Sequence, residues 1–99
     1  MKIVAVTACP TGIAHTYMAA EQLEKTAHQL GHQIKVETQG AMGIENELSA
    51  DDISGAELVI FAADIAVQKH ERFANLKIIE VGVQEAIKTP AALFSPVSK

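Results

Sequence analysis

Ninety-nine residues, 48% of them hydrophobic but only 4% aromatic, make one domain, 1–99, with a single aliphatic core and leave no room for a second. Twelve acidic side chains against eight basic ones give a formal charge of −4, and Arg72 is the only arginine, so there is no cationic stripe for nucleic acid or an anionic membrane surface. No stretch approaches the roughly 20 consecutive apolar residues that span a bilayer, and the N-terminus enters a strand without a signal-peptide layout; a cytoplasmic domain with no direct membrane insertion is expected.

The first element, Lys2-Ile3-Val4-Ala5-Val6-Thr7-Ala8, has the pattern of a buried strand. From Ile13 the apolar positions Ile13, Tyr17, Ala20, Leu23, Ala27 and Leu30 repeat at helical spacing until Gly31 stops them. Between strand and helix stands Cys9, the only cysteine. It has no partner for an internal disulfide, and no Cys/His spacing of a zinc site is present, so no metal is expected and the thiol is either a small buried hydrophobe or a reactive group. Its position favours the second. A loop closing onto a helix N-terminus turns backbone N–H groups and the positive end of the helix dipole toward its mouth. That setting favours the thiolate, which is the nucleophilic form, and suits phosphate oxygens. A sulfur packed in the aliphatic interior, or amides already taken by main-chain oxygens, would leave this chemistry without a site.

Residues 33–38 alternate as a half-buried strand, and Gln39-Gly40-Ala41-Met42-Gly43 reads as a turn. Ser49 is placed to cap a short helix with Asp51 and Asp52 in its first turn and Gly55 at its end. Residues 57–62 form the most apolar strand, a polar stretch over 68–74 ends on Phe73, and 77–81 make a fourth strand. A fragment of helix over 84–88 is broken by Thr89-Pro90, and 95–99 reads as a tail or linker. Strands alternating with helices give a three-layer α/β fold, Rossmann-like, with a four-stranded, mostly parallel sheet and helices on both faces. Such sheets bind ligands beyond the carboxyl ends of their strands, where Cys9 stands.

The run Thr7-Ala8-Cys9-Pro10-Thr11-Gly12-Ile13-Ala14-His15-Thr16, followed by Tyr17-Met18-Ala19-Ala20, resembles the phosphocysteine loop of the fructose-type enzyme IIB domains of the bacterial sugar phosphotransferase system. Val36-Glu37-Thr38-Gln39-Gly40 and the region from Ala63-Asp64 to Glu71-Arg72-Phe73 are similar to the same family. The resemblance implies a relay in which a phosphohistidine on a IIA phosphodonor protein gives its phosphoryl group to the IIB cysteine, which passes it to a sugar bound in the membrane-embedded IIC permease. It makes Cys9 the nucleophile and Pro10, Thr11, Gly12, Ile13, Ala14, His15 and Thr16 the phosphate cradle. Gln39 and Gly40 after the second strand, and Asp64 after the third, stand as a possible rim, where Asp64 also reads as a turn former. The sugar it implies is fructose or fructose-like, taken up by a permease to which the domain is either fused or bound.

A relay needs a group that is both a good nucleophile and a good leaving group, and a thiolate is both. Pro10 fixes the turn, Gly12 allows close backbone approach, and the hydroxyls of Thr11 and Thr16 with the imidazole of His15 add donors. The loop has no Gly-Lys-Ser/Thr triplet, so no nucleotide, magnesium or other cofactor is expected. His28, His32 and His70 read as solvent-facing, and Glu45 and Glu47 as a solvated loop. Two other readings compete. Small cysteine phosphatases and arsenate reductases also place a cysteine between a first strand and helix, but their loops resemble Cys-x5-Arg, whereas His15 stands six residues after Cys9 and offers no bidentate clamp. The third reading is a regulatory module whose phosphorylated cysteine alters contacts with a partner.

Overall fold

β1 (Lys2–Ala8) is buried along nearly its whole length because it lies at the centre of the sheet, parallel to β2 (Gln33–Gly40) on one side and to β4 (Leu58–Ala63) on the other. The computed structural model describes residues 2–9, 13–40, 43–74 and 76–88, with the backbone alone for Ile13 and Ala14. The Pro10-Thr11-Gly12 segment, the Thr89-Pro90 break and the 95–99 tail therefore lie outside the described residues. β5 (Ile78–Val81) pairs in parallel with β4, and β3 (Gly43–Glu45) pairs antiparallel with β2, giving the order β3-β2-β1-β4-β5.

Among the described residues the sheet thus has five strands, not the four expected. The additional one is three residues long, too short for alternation to show, and it begins at Gly43, whose φ of 91° suits glycine. β2 runs on to Gly40, so Gln39 and Gly40 are strand residues rather than turn residues, and Glu45 belongs to β3 rather than to a solvated loop.

α1 (Ile13–Gln29) covers one face of the sheet with Thr16, Ala19, Ala20, Leu23, Thr26 and Ala27. These are mostly small side chains, which let the helix lie close to Ile3, Ala5, Val36 and Ile60. Tyr17 and Leu30, expected in the apolar stripe, are each 42% exposed: Tyr17 sits off the side of the buried face, and Leu30 follows the last helical residue. The helix stops where the sequence expects. Gly31 has φ 81°, its N–H donates to the carbonyl of His28 and the N–H of His32 to that of Ala27, the two closing bonds of a Schellman motif. α3 (Val83–Lys88) joins α1 on this face through Val83 and Ala86.

The opposite face carries α2 (Ala50–Ser54) and a single 3-10 turn, His70–Phe73. Its core gathers Val4, Val6, Leu48, Val59, Val67 and Phe73, with Phe61 and Phe73 edge to face at 5.3 Å. α2 is only five residues long and depends on its cap. Ser49 Oγ accepts the N–H of Asp52, and the Asp52 carboxylate accepts the N–H of Ser49. Lys35 of β2 donates to the same carboxylate at 2.8 Å; that bond, with those from Ser49, holds Asp52 well below the usual carboxylate range. Ser49→Ala is expected to lower the unfolding free energy by about 1 kcal/mol, read as a shifted urea midpoint at unchanged slope. Among the described residues no helix is long and apolar enough to cross a membrane.

Candidate functional site

Three successive residues at the end of β1 each fasten a different neighbour. Thr7 Oγ1 donates to the carbonyl of Thr16 in the first turn of α1 at 3.2 Å, the carbonyl of Ala8 accepts the N–H of Asp64 at 3.0 Å, and the N–H of Cys9 donates to the carbonyl of Gln39 at 3.3 Å. The register Ala8↔Gln39 and Ala8↔Ala63 explains the arrangement, since Cys9 leaves the sheet level with the ends of both flanking strands. The carboxyl edge of the sheet therefore brings together Cys9, Thr16, Gln39 and Asp64.

Strand alternation turns Cys9 to the same face as Ile3 and Ala5, the face that α1 covers. It is only 4% exposed and belongs to the aliphatic cluster of that face. This is the packing that the sequence reading set against transfer chemistry, and the N–H of Cys9 is itself taken by a main-chain oxygen; what favours the chemistry is the position of Cys9, directly after the end of β1 at the carboxyl edge of the sheet. Of the residues expected to cradle phosphate, Pro10, Thr11 and Gly12 lie outside the described residues, while Ile13, Ala14, His15 and Thr16 form the first turn of α1. Thr16 is buried and His15 is exposed. The positive end of the α1 dipole stands at this edge.

The rim residues have structural attachments. The exposed Asp64 carboxylate accepts the N–H of Val83 at 3.2 Å and so caps α3, which gives it a task beyond forming a turn. Gln39 is buried and its side-chain amide grips the main chain of Gln68 in both directions, Oε1 accepting its N–H at 2.8 Å and Nε2 donating to its carbonyl at 3.1 Å. The same Nε2 donates to Glu37 at 2.7 Å.

Glu37 is the largest feature absent from the sequence reading. It is fully buried, and Arg72 reaches it with a two-pronged contact, Nη1 to Oε1 and Nη2 to Oε2, each at 3.0 Å. Leu48 N–H completes the set at 2.9 Å. Burial pushes the Glu37 carboxyl up, but the bonds from Arg72, Leu48 and Gln39 outweigh it and leave the carboxyl below its ordinary value of 4.5. A carboxyl lowered by folding adds stability above its unfolded value, and this is lost as the pH falls through the folded value. The stability gap between the native protein and Glu37→Gln is accordingly expected to be widest above about pH 5 and to narrow on acidification, as urea unfolding across pH would read. The pair lies on the face opposite Cys9, so the one arginine of the chain is engaged there and not in the Cys9 loop. A second contact the sequence did not disclose joins α1 to β3: the Tyr17 hydroxyl donates to Glu45, which holds the phenol above its usual range.

Residues 4–95 match the family described as "PTS system, Lactose/Cellobiose specific IIB subunit". The chain is 51% identical over 96 residues to the "PTS system fructose-like EIIB component 2" of Escherichia coli K12, a match covering 97% of this chain and 91% of that protein. It is 48% identical over 97 residues to the "Fructose-like PTS system EIIBC component" of the same organism, of which it spans 20%. The solution structure of an enzyme IIB subunit of the PTS system from Escherichia coli K12 superposes with a TM-score of 0.91 at 42% identity, covering 97% of this chain and 89% of the other.

Proposed function

Since this chain belongs to the enzyme IIB family of the sugar phosphotransferase system, we propose that it is the phosphoryl carrier of a fructose-like system, with Cys9 as the group that carries. The Cys9 thiolate attacks the phosphorus of a phosphohistidine on a IIA protein; the P–N bond breaks, an S–P bond forms, and the imidazole leaves. A hydroxyl of a fructose-like sugar, held in a membrane-embedded IIC permease, then attacks the same phosphorus, and the thiolate leaves as the hydroxyl gives up its proton. The net reaction is a transfer from protein phosphohistidine to sugar, with no nucleotide or metal required. A relative in which a IIB unit is joined to a C unit supports the permease partnership. On this reading the domain works on the cytoplasmic side of the membrane.

The observation that carries the proposal is the position of Cys9, at the carboxyl edge of the central strand and on the face that α1 covers. Donors and a helix dipole at such an edge hold the phosphoryl oxygens in advance of transfer, which is where the protein's share of the catalysis lies. In this role Pro10, Thr11, Gly12, Ile13, Ala14, His15 and Thr16 surround the phosphoryl group. Because Cys9 is 4% exposed, transfer also requires that the sulfur be uncovered when the donor docks.

Phosphoenolpyruvate, the general phosphotransferase proteins and a matching IIA supply the test. The chain is expected to take up one labelled phosphoryl group and to discharge it only when IIC and sugar are added. Label that no sugar discharges would point to the regulatory reading, and rapid hydrolysis of a small phosphate ester to the phosphatase.

A further inference from the structure

Gln39 touches both Cys9 and the segment leaving β4. Its carbonyl accepts the Cys9 N–H, while its side-chain amide is fixed by three bonds: two to the main chain of Gln68 and one to Glu37. Glu37 is in turn held by the Arg72 fork, and the Arg72 Nε–H donates to the carbonyl of Lys69 at 2.8 Å. The segment 64–69 starts beside β1, through the Asp64 N–H on the Ala8 carbonyl, and its far end is tied down by Gln39 and Arg72. An amide side chain that satisfies its donors and acceptor inside a buried charged network has a single orientation, and it adds to the hold that the pairing of Gln39 with Ala8 and Ile44 already places on the peptide group behind it.

Resting on the carrier reading above, we propose that Gln39 is a positioning residue for phosphoryl transfer. Its anchored side chain fixes the carbonyl that holds the Cys9 amide, and so fixes the direction from which Cys9 meets the incoming phosphorus. The consequence lies in the rate of the chemical step and not in the affinity for the donor, because Gln39 is buried and offers nothing to a docking protein. Small misplacements of a nucleophile are costly in this way.

The test is transfer from phospho-IIA to the full chain at varied donor concentration, native against Gln39→Met, at a temperature where both are folded by circular dichroism. Gln39→Met is expected to lower kcat about tenfold with KM for phospho-IIA unchanged. It should also speed hydrogen exchange at both the Cys9 and Gln68 amides. An unchanged kcat with faster exchange at Gln68 would make Gln39 a structural clamp only and overturn the proposal, and so would a raised KM at unchanged kcat. If Gln39→Met does not fold, the native protein decides: phosphorylating it is expected to move the Gln39 side-chain and Gln68 backbone amide resonances, and resonances that stay in place would refute the coupling. Native protein that takes up no label at all counts against the carrier reading itself, which separates the two failures.

Discussion

Cys9→Ser is expected to reduce phosphoryl uptake from phospho-IIA by on the order of 10³-fold or more, the scale on which enzymes lose rate when a nucleophile is removed. The hydroxyl that replaces the thiol is a far weaker nucleophile at neutral pH, because almost none of it is ionised. The loss also extends to the second half of the relay. A phosphoserine, were it formed, would hold its group, since an alkoxide leaves much less readily than a thiolate. The substitution keeps the shape of the side chain in its closely packed position but introduces a hydroxyl there, at a cost of about 1–3 kcal/mol if it finds no partner. Uptake of label and the melting curve should therefore be measured on the same sample. A variant that melts cooperatively and still takes up label at the native rate would remove Cys9 from the reaction.

The second large effect concerns folding. Arg72→Ala removes the guanidinium that accompanies a fully buried carboxylate and is expected to lower the unfolding free energy by about 3–5 kcal/mol, because a charge left alone in the interior is costly. Against the roughly 5–15 kcal/mol that holds a small domain together, that is a large share. It would also free the 3-10 turn, since the same side chain holds Lys69 and lies over the Phe73 ring at 4.9 Å. Replacing both partners tests the cause: Glu37→Leu with Arg72→Met removes the charge along with its counter-ion and should recover most of the loss, as read by urea unfolding. Equal damage in the single and double variants would mean that the pair is not what the interior depends on.

β1, the two ends of α1 and the cap of α2 were legible because their signals are local. The 2–8 strand pattern, the helix start at Ile13, the Gly31 stop and the Ser49 cap all reappear in the structure at those residues. Glu37 was not legible, for a physical reason. In 33–38 the alternation of Ile34 and Val36 with Lys35 and Glu37 is what a strand with one wet face shows, and it makes Glu37 a surface residue. The three-residue β3 places β2 inside the sheet, and the 3-10 turn with Leu48 covers its second face, so the polar side of the alternation is closed at Glu37 while Lys35 stays half-buried. The available clue was Arg72, the only arginine, 35 positions away, and no local pattern links the two. At the candidate site the position of Cys9 at the edge was readable from strand–loop–helix order, whereas its burial depends on the cluster that gathers around it and the grip of Gln39 on Gln68 on a contact across 29 residues.

Among the described residues the sheet ends on its two briefest strands, one of three residues and one of four, the latter carrying the exposed Glu80. Ribbons this short offer a stranger few main-chain hydrogen bonds, and a negative charge discourages the attempt. Identical units can then crowd together without zipping to one another through these margins.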